Sequence, residues 1–195
     1  FAALVLLLFG FALDAQPRVL ASTGGGLYWA AVLFAAVLAV QRSVAIEADD
    51  AAGEALRTSG IDPASVFIGK AAALAAELLA LETVLGCVMA ILYHLDVSGW
   101  GLLAAVAVLA TAGLASAGTI YGALSASMRV RETLLPLLFL PVVAPVLLSA
   151  ARAWQLTLSH HQSEALPWLR ILGAFGVIYS VVGVFAYEPL TEAGG

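Results

Sequence analysis

Apolar residues run through this chain in blocks too long for strands and too uniform for water-facing amphipathic helices. The blocks cover 24–41, 66–93, 101–124, 133–150 and 168–187, and none holds more than three charged residues. A bilayer core takes about 20 apolar residues per helix, so each block predicts one transmembrane span. A sixth apolar stretch, 1–13, is too short to cross at about 1.5 Å per residue. We read it as the second half of a first span whose start precedes Phe1. The alternative is the apolar core of a signal peptide, but no small-x-small cleavage pattern precedes Pro17. The pattern predicts an all-α integral membrane protein with six transmembrane helices, the first truncated at its N-terminus, in a single transmembrane domain over 1–195. No internal repeat accompanies it.

Composition narrows the function. Of 195 residues, 63% are hydrophobic and 11% charged, with a mean hydropathy of +1.03. Soluble domains average roughly half apolar and a quarter charged, so function here means work done in or across a lipid bilayer. The net charge of −5 offers no basic surface for nucleic acid. A single cysteine, Cys87, excludes an internal disulfide, a Cys-x-x-Cys redox pair and a haem-attachment motif. Gly69-Lys70 is the only Gly-Lys pair. A phosphate-binding loop needs Gly five residues before Gly69 and Ser or Thr after Lys70, where this chain has Ala64 and Ala71. ATP chemistry would have to come from another polypeptide. No catalytic constellation or metal-ligand spacing is visible, so the chain reads as non-catalytic with no cofactor of its own.

Orientation follows the Lys/Arg bias of the short loops. Arg42, Arg57 and Lys70 flank the loop after the second span, and Arg129 and Arg131 follow the fourth; Arg18, Arg152 and Arg170 lie on the opposite side. This places both termini and the two basic loops in the cytoplasm. The loop 42–65 carries Glu47, Asp49, Asp50, Glu54 and Arg57 on a helix-favouring background. Gly60 reads as a helix stop; Asp62-Pro63 reads as an N-cap with proline in the first turn. A solvated connector is the commoner reading of such a loop, and a docking helix for a cytoplasmic partner is the sharper one. On the outer side, 151–167 reads as an interfacial segment with Trp154 and Trp168 as aromatic anchors.

Several residues break the apolar blocks. Glu77 and Glu82 sit in the third span, with Glu82 about 18 Å beyond Lys70 and near mid-membrane. Five residues turn a helix by about 140°, so the two carboxyls face different ways and form no paired-acid site. Each is either a polar contact to a neighbouring helix or a proton or substrate site. Gly118-Thr-Ile-Tyr-Gly122, and Gly173, Gly176, Ser180 and Gly183, form small faces suited to close helix packing. Pro136, Pro141 and Pro145 predict a kinked or broken fifth span. Arg129, Arg131 and Glu132 form a charged cytoplasmic loop that reads as a topology anchor. His94, His160 and His161 fall on the outer side, where imidazole can ligate haem iron but is usually only solvated. Cys87 reads as a small packing residue.

Four of these segments carry a resemblance to a known family. They are Leu8-Phe-Gly-Phe-Ala12; Ile61-Asp-Pro-Ala-Ser-Val-Phe-Ile-Gly-Lys70; Glu82; and Gly118-Thr-Ile-Tyr-Gly-Ala-Leu124, continued by Arg131-Glu-Thr-Leu-Leu-Pro136, Pro141 and Pro145. In order and spacing the chain resembles the haem exporter protein B family, a membrane component of the cytochrome c maturation system. Leu56-Arg-Thr-Ser-Gly60 departs from the Leu-rich run and Ser-Pro usual there, and Glu77 is not a family position. The resemblance implies an ABC-2-type permease of the bacterial inner membrane, paired as a homodimer. It implies several partners from the same maturation system: the ATP-binding component A, the membrane components C and D and the haem chaperone E. Haem is the candidate substrate. The resemblance also makes 42–65 the coupling segment for the ATPase. Two other readings stand beside it: a proton-coupled secondary carrier using Glu82, and a passive scaffold for the maturation complex.

Overall fold

A computed structural model describes residues 4, 8, 17–47, 60–93, 99–126 and 131–192. They form five long helices: α1 Pro17–Glu47, α2 Pro63–Tyr93, α3 Trp100–Ala126, α4 Arg131–Leu158 and α5 Gln162–Glu192. At 1.5 Å per residue these run about 40 to 46 Å, longer than the roughly 30 Å hydrocarbon core. Five helices among the described residues, not the six expected, are long and apolar enough to cross a membrane. The expected first span, 1–13, lies outside the described residues except for Leu4 and Leu8, which are helical and exposed. Thirteen helical residues reach only about 20 Å.

Central in the bundle is α3, which packs against each of the other four helices. Its sequence explains why. Along 113–122, small residues let neighbours approach so closely that side chains there would collide. A Cβ on Gly118 would stand 2.7 Å from Val40 of α1 and 3.1 Å from Leu74 of α2; one on Gly113 would meet Val146 of α4 at 3.3 Å. Gly176 of α5 backs onto Gly113, and the Ser116 and Ser180 hydroxyls hydrogen bond at 3.0 Å. The small faces are thus used inside the protomer, where close packing supplies the association energy that water supplies elsewhere. Gly173 is the exception, with nothing within 4 Å of its missing Cβ.

The entry to α2 is built as its sequence suggests. The Asp62 carboxylate accepts from the Ser65 N–H at 3.1 Å, the N-cap bond, with Pro63 as the first helical residue. Phe67 then buries its ring in the notch left by Gly183 of α5 and lies 5.7 Å from Tyr187, over which the Lys70 ammonium sits at 5.4 Å.

The stretch 151–167, expected as an outer interfacial segment, is helical except for one turn. Residues 151–158 are the last two turns of α4, 159–161 form a turn, and 162–167 begin α5. Trp154 points into the bundle, because Gly25 of α1 lets the two helices close on each other there. Of the kink or break expected at Pro136, Pro141 and Pro145, the break is absent, and α4 stays one helix to Leu158. Around Pro145 side chains bond the main chain: Ser149 Oγ donates to the Pro145 carbonyl at 2.7 Å, and Tyr179 OH to the Val142 carbonyl at 2.6 Å. Packing against neighbouring helices makes prolines tolerable inside membrane helices.

Candidate functional site

Three helices meet around Glu82, and a fourth joins them through the ring of Tyr28. Its side chain is 3% exposed, although it belongs to one of the most apolar helices of the chain. Thr111 of α3, itself fully buried, donates its hydroxyl to Glu82 Oε1 at 2.6 Å. Tyr28 of α1 donates its phenol to the Glu82 backbone carbonyl at 3.0 Å. The Tyr28 ring stacks on Trp154 of α4, with centroids 4.5 Å apart, and meets Trp29 edge-on at 5.5 Å. Gly24 makes room for this level of the bundle, since a Cβ there would lie 2.7 Å from Met89 of α2. The Glu82 Oε2, Trp29 Nε1 and Trp154 Nε1 atoms are buried without a hydrogen-bond partner among the described residues.

A carboxyl inside a bundle is expensive unless its oxygens are bonded, and such residues mark functional positions more often than chance packing does. Here one oxygen is bonded and the other has no partner among the described residues. The arrangement can do two things chemically. It ties α1, α2, α3 and α4 together at one depth, and it offers a carboxyl able to hold a proton in an apolar setting. Glu77, five residues earlier, is exposed on another face of α2.

Of the remaining sequence candidates, Glu47, Arg131 and Glu132 lie at helix ends. Glu47 closes α1, so the first residues of the expected coupling loop 42–65 are helical in the structure. Asp49, Asp50, Glu54 and Arg57 lie outside the described residues, as does Arg129; Arg131 and Glu132 open α4. Gly60 is left-handed, with φ of 68°; the helix expected to stop there lies outside the described residues. Nearby, Lys70, Tyr187, Ser43 and Thr119 surround a cavity of about 20 Å³. A larger open groove of about 450 Å³ runs between α2 and α5, floored by Ala112, Ala115 and Ser116 of α3. Among the described residues no group of three or more His, Cys, Asp or Glu could hold a metal ion.

Tyr28, Trp29 and Thr111 were not legible as site residues. Periodicity marks them as apolar or tolerated, and only Gly24-Gly25-Gly26 beside the Tyr-Trp pair hints at a close approach.

Residues 1–191 match the family described as CcmB protein. The chain is 31% identical over 149 residues to the heme exporter protein B of Rhodobacter capsulatus, an alignment covering 76% of this chain and 68% of that relative. A match over nearly the full length, carried by a bundle of long apolar helices, places this chain in the CcmB protein family.

Proposed function

We propose that this chain is the permease through which a separate ATP-hydrolysing partner drives haem export, or release of the haem-loaded chaperone, during cytochrome c maturation. The observation that carries the reading is the family match across 1–191 in a chain that lacks a nucleotide-binding loop. The chain is the non-catalytic partner in an ABC-2-type complex of the bacterial inner membrane, with six spans once 1–13 is counted. The ATP-binding component A of the maturation system is its ATPase; the membrane components C and D and the haem chaperone E complete the assembly. Haem is the cargo, and this chain holds no cofactor of its own.

Coupling runs through 42–65, which faces the cytoplasm with both termini. Glu47, Asp49, Asp50, Glu54 and Arg57 form the ATPase-docking surface, and Arg129, Arg131 and Glu132 anchor the neighbouring loop. That segment joins α1 to α2, and the same two helices are tied again at Tyr28 and Glu82. A displacement of the loop is therefore felt at the buried polar centre, where α3 and α4 also meet.

Affinity purification of the full-length chain from detergent-solubilised membranes tests the assignment. A P-loop ATPase should co-purify, and an ATPase-inactive partner should stop c-type cytochrome assembly. Assembly that continues with the inactive partner would instead support the passive scaffold. The mass of the purified complex counts copies of this chain, two for a homodimer. The unpaired Glu82 Oε2 favours one rival, a proton-coupled carrier; in that case Glu82→Gln abolishes transport outright.

A further inference from the structure

We infer that the turn between α4 and α5 is an axial-ligand site for an iron porphyrin, with His161 Nε2 as the ligand; the inference rests on haem being the cargo. The turn is held by its backbone. The His161 N–H donates to the Leu156 carbonyl at 2.9 Å and the His160 N–H to the Thr157 carbonyl at 3.2 Å, a Schellman closure of α4. Glycine usually takes the left-handed position of that motif. Here His160 holds it, at φ of 62°. The closure fixes the next side chain: His161 Nδ1 lies 2.7 Å from the Ser159 carbonyl oxygen. A carbonyl only accepts, so Nδ1 carries a proton, and in the neutral ring the lone pair then lies on Nε2 of an exposed side chain. Ligating histidines are oriented in this way, by a backbone carbonyl on the nitrogen that does not bind the metal.

Two further groups suit a porphyrin. The start of α3 presses on the turn, since a Cβ on Gly99 would stand 2.9 Å from the Gln162 side chain and 3.0 Å from Thr157. This brings Trp100, 68% exposed, to the same end of the bundle as a flat surface for a macrocycle. Arg152 is exposed on α4 about two helical turns, roughly 10 Å, before the turn that carries His161. Its guanidinium, which donates to Gln155 at 3.0 Å, suits the carboxylate side chains that a porphyrin carries. Binding is lone-pair donation from neutral Nε2 to iron, with release of an axial water and no electron transfer.

The test is titration of the full-length chain in lipid nanodiscs with ferric protoporphyrin IX, read from the Soret band, with iron-free protoporphyrin IX in parallel. The wild type should saturate with an imidazole-ligated spectrum. His161→Ala should lose that spectrum and weaken ferric porphyrin binding at least tenfold, while leaving the iron-free porphyrin unchanged. His160→Gly should keep both. Trp100→Ala should weaken both porphyrins alike. Unchanged ferric binding in His161→Ala, or a wild type that does not saturate, overturns the site. Neither result touches the ATPase assignment, which is read from co-purification.

Discussion

Glu82 shows what one polar residue does in a bundle otherwise held by close packing. Its Oε1 bond to Thr111 joins α2 to α3, and an interhelical hydrogen bond in a membrane contributes about 0.6 kcal/mol and rarely above 2. Thr111→Val should therefore lower unfolding stability in detergent by about 1 kcal/mol. Glu82→Gln keeps an acceptor for Thr111 and should leave both the fold and c-type cytochrome assembly near wild type, since the coupling account needs the contact rather than the charge. Gly183 gives a sharper steric case. A Cβ there would lie within the Phe67 ring, so Gly183→Ala should cost about 1 to 3 kcal/mol and be largely restored by Phe67→Leu, as measured by a double-mutant cycle. The buried acid was visible in the sequence because a carboxylate in an apolar block has few explanations. Its partners were not, because threonine and tyrosine in a membrane span carry no spacing that identifies their bond.

Element length and packing faces were the readable part at the next scale. Uniform apolarity marked α1 to α5, and glycine spacing marked the faces that α3 and α5 turn toward each other. What uniform apolarity hides is where a helix ends. Nothing in the block 133–150 says that α4 runs on through Trp154 to Leu158, because lipid-facing and protein-facing tryptophans look alike in sequence. The prolines are a related case, since whether they break a membrane helix depends on the packing around it, and α4 runs unbroken from Arg131 to Leu158. The small-residue seam makes its own prediction. Ser116→Ala and Ser180→Ala should each be mild, with a coupling energy below about 1 kcal/mol, because both hydroxyls sit in a seam already closed by Gly113 and Gly176. Gly118→Val should be far worse, lowering folded yield in membranes, since both Val40 and Leu74 occupy that space.

Across the whole molecule, function follows from what the bundle holds and what it lacks. Among the described residues it holds many exposed apolar side chains and a buried carboxyl bonded across three helices, two of which the segment 48–62 connects in sequence. No nucleotide-binding loop is present in these 195 residues, and the proposed function has energy for directed work enter through contact with another chain. The most direct test of that claim is co-purification of the ATPase with the full-length chain carrying Asp49→Lys, Asp50→Lys and Glu54→Lys together. The account predicts that the triple reversal removes the ATPase from the purified material while the chain stays folded in the membrane. An ATPase recovered in undiminished amount would contradict it.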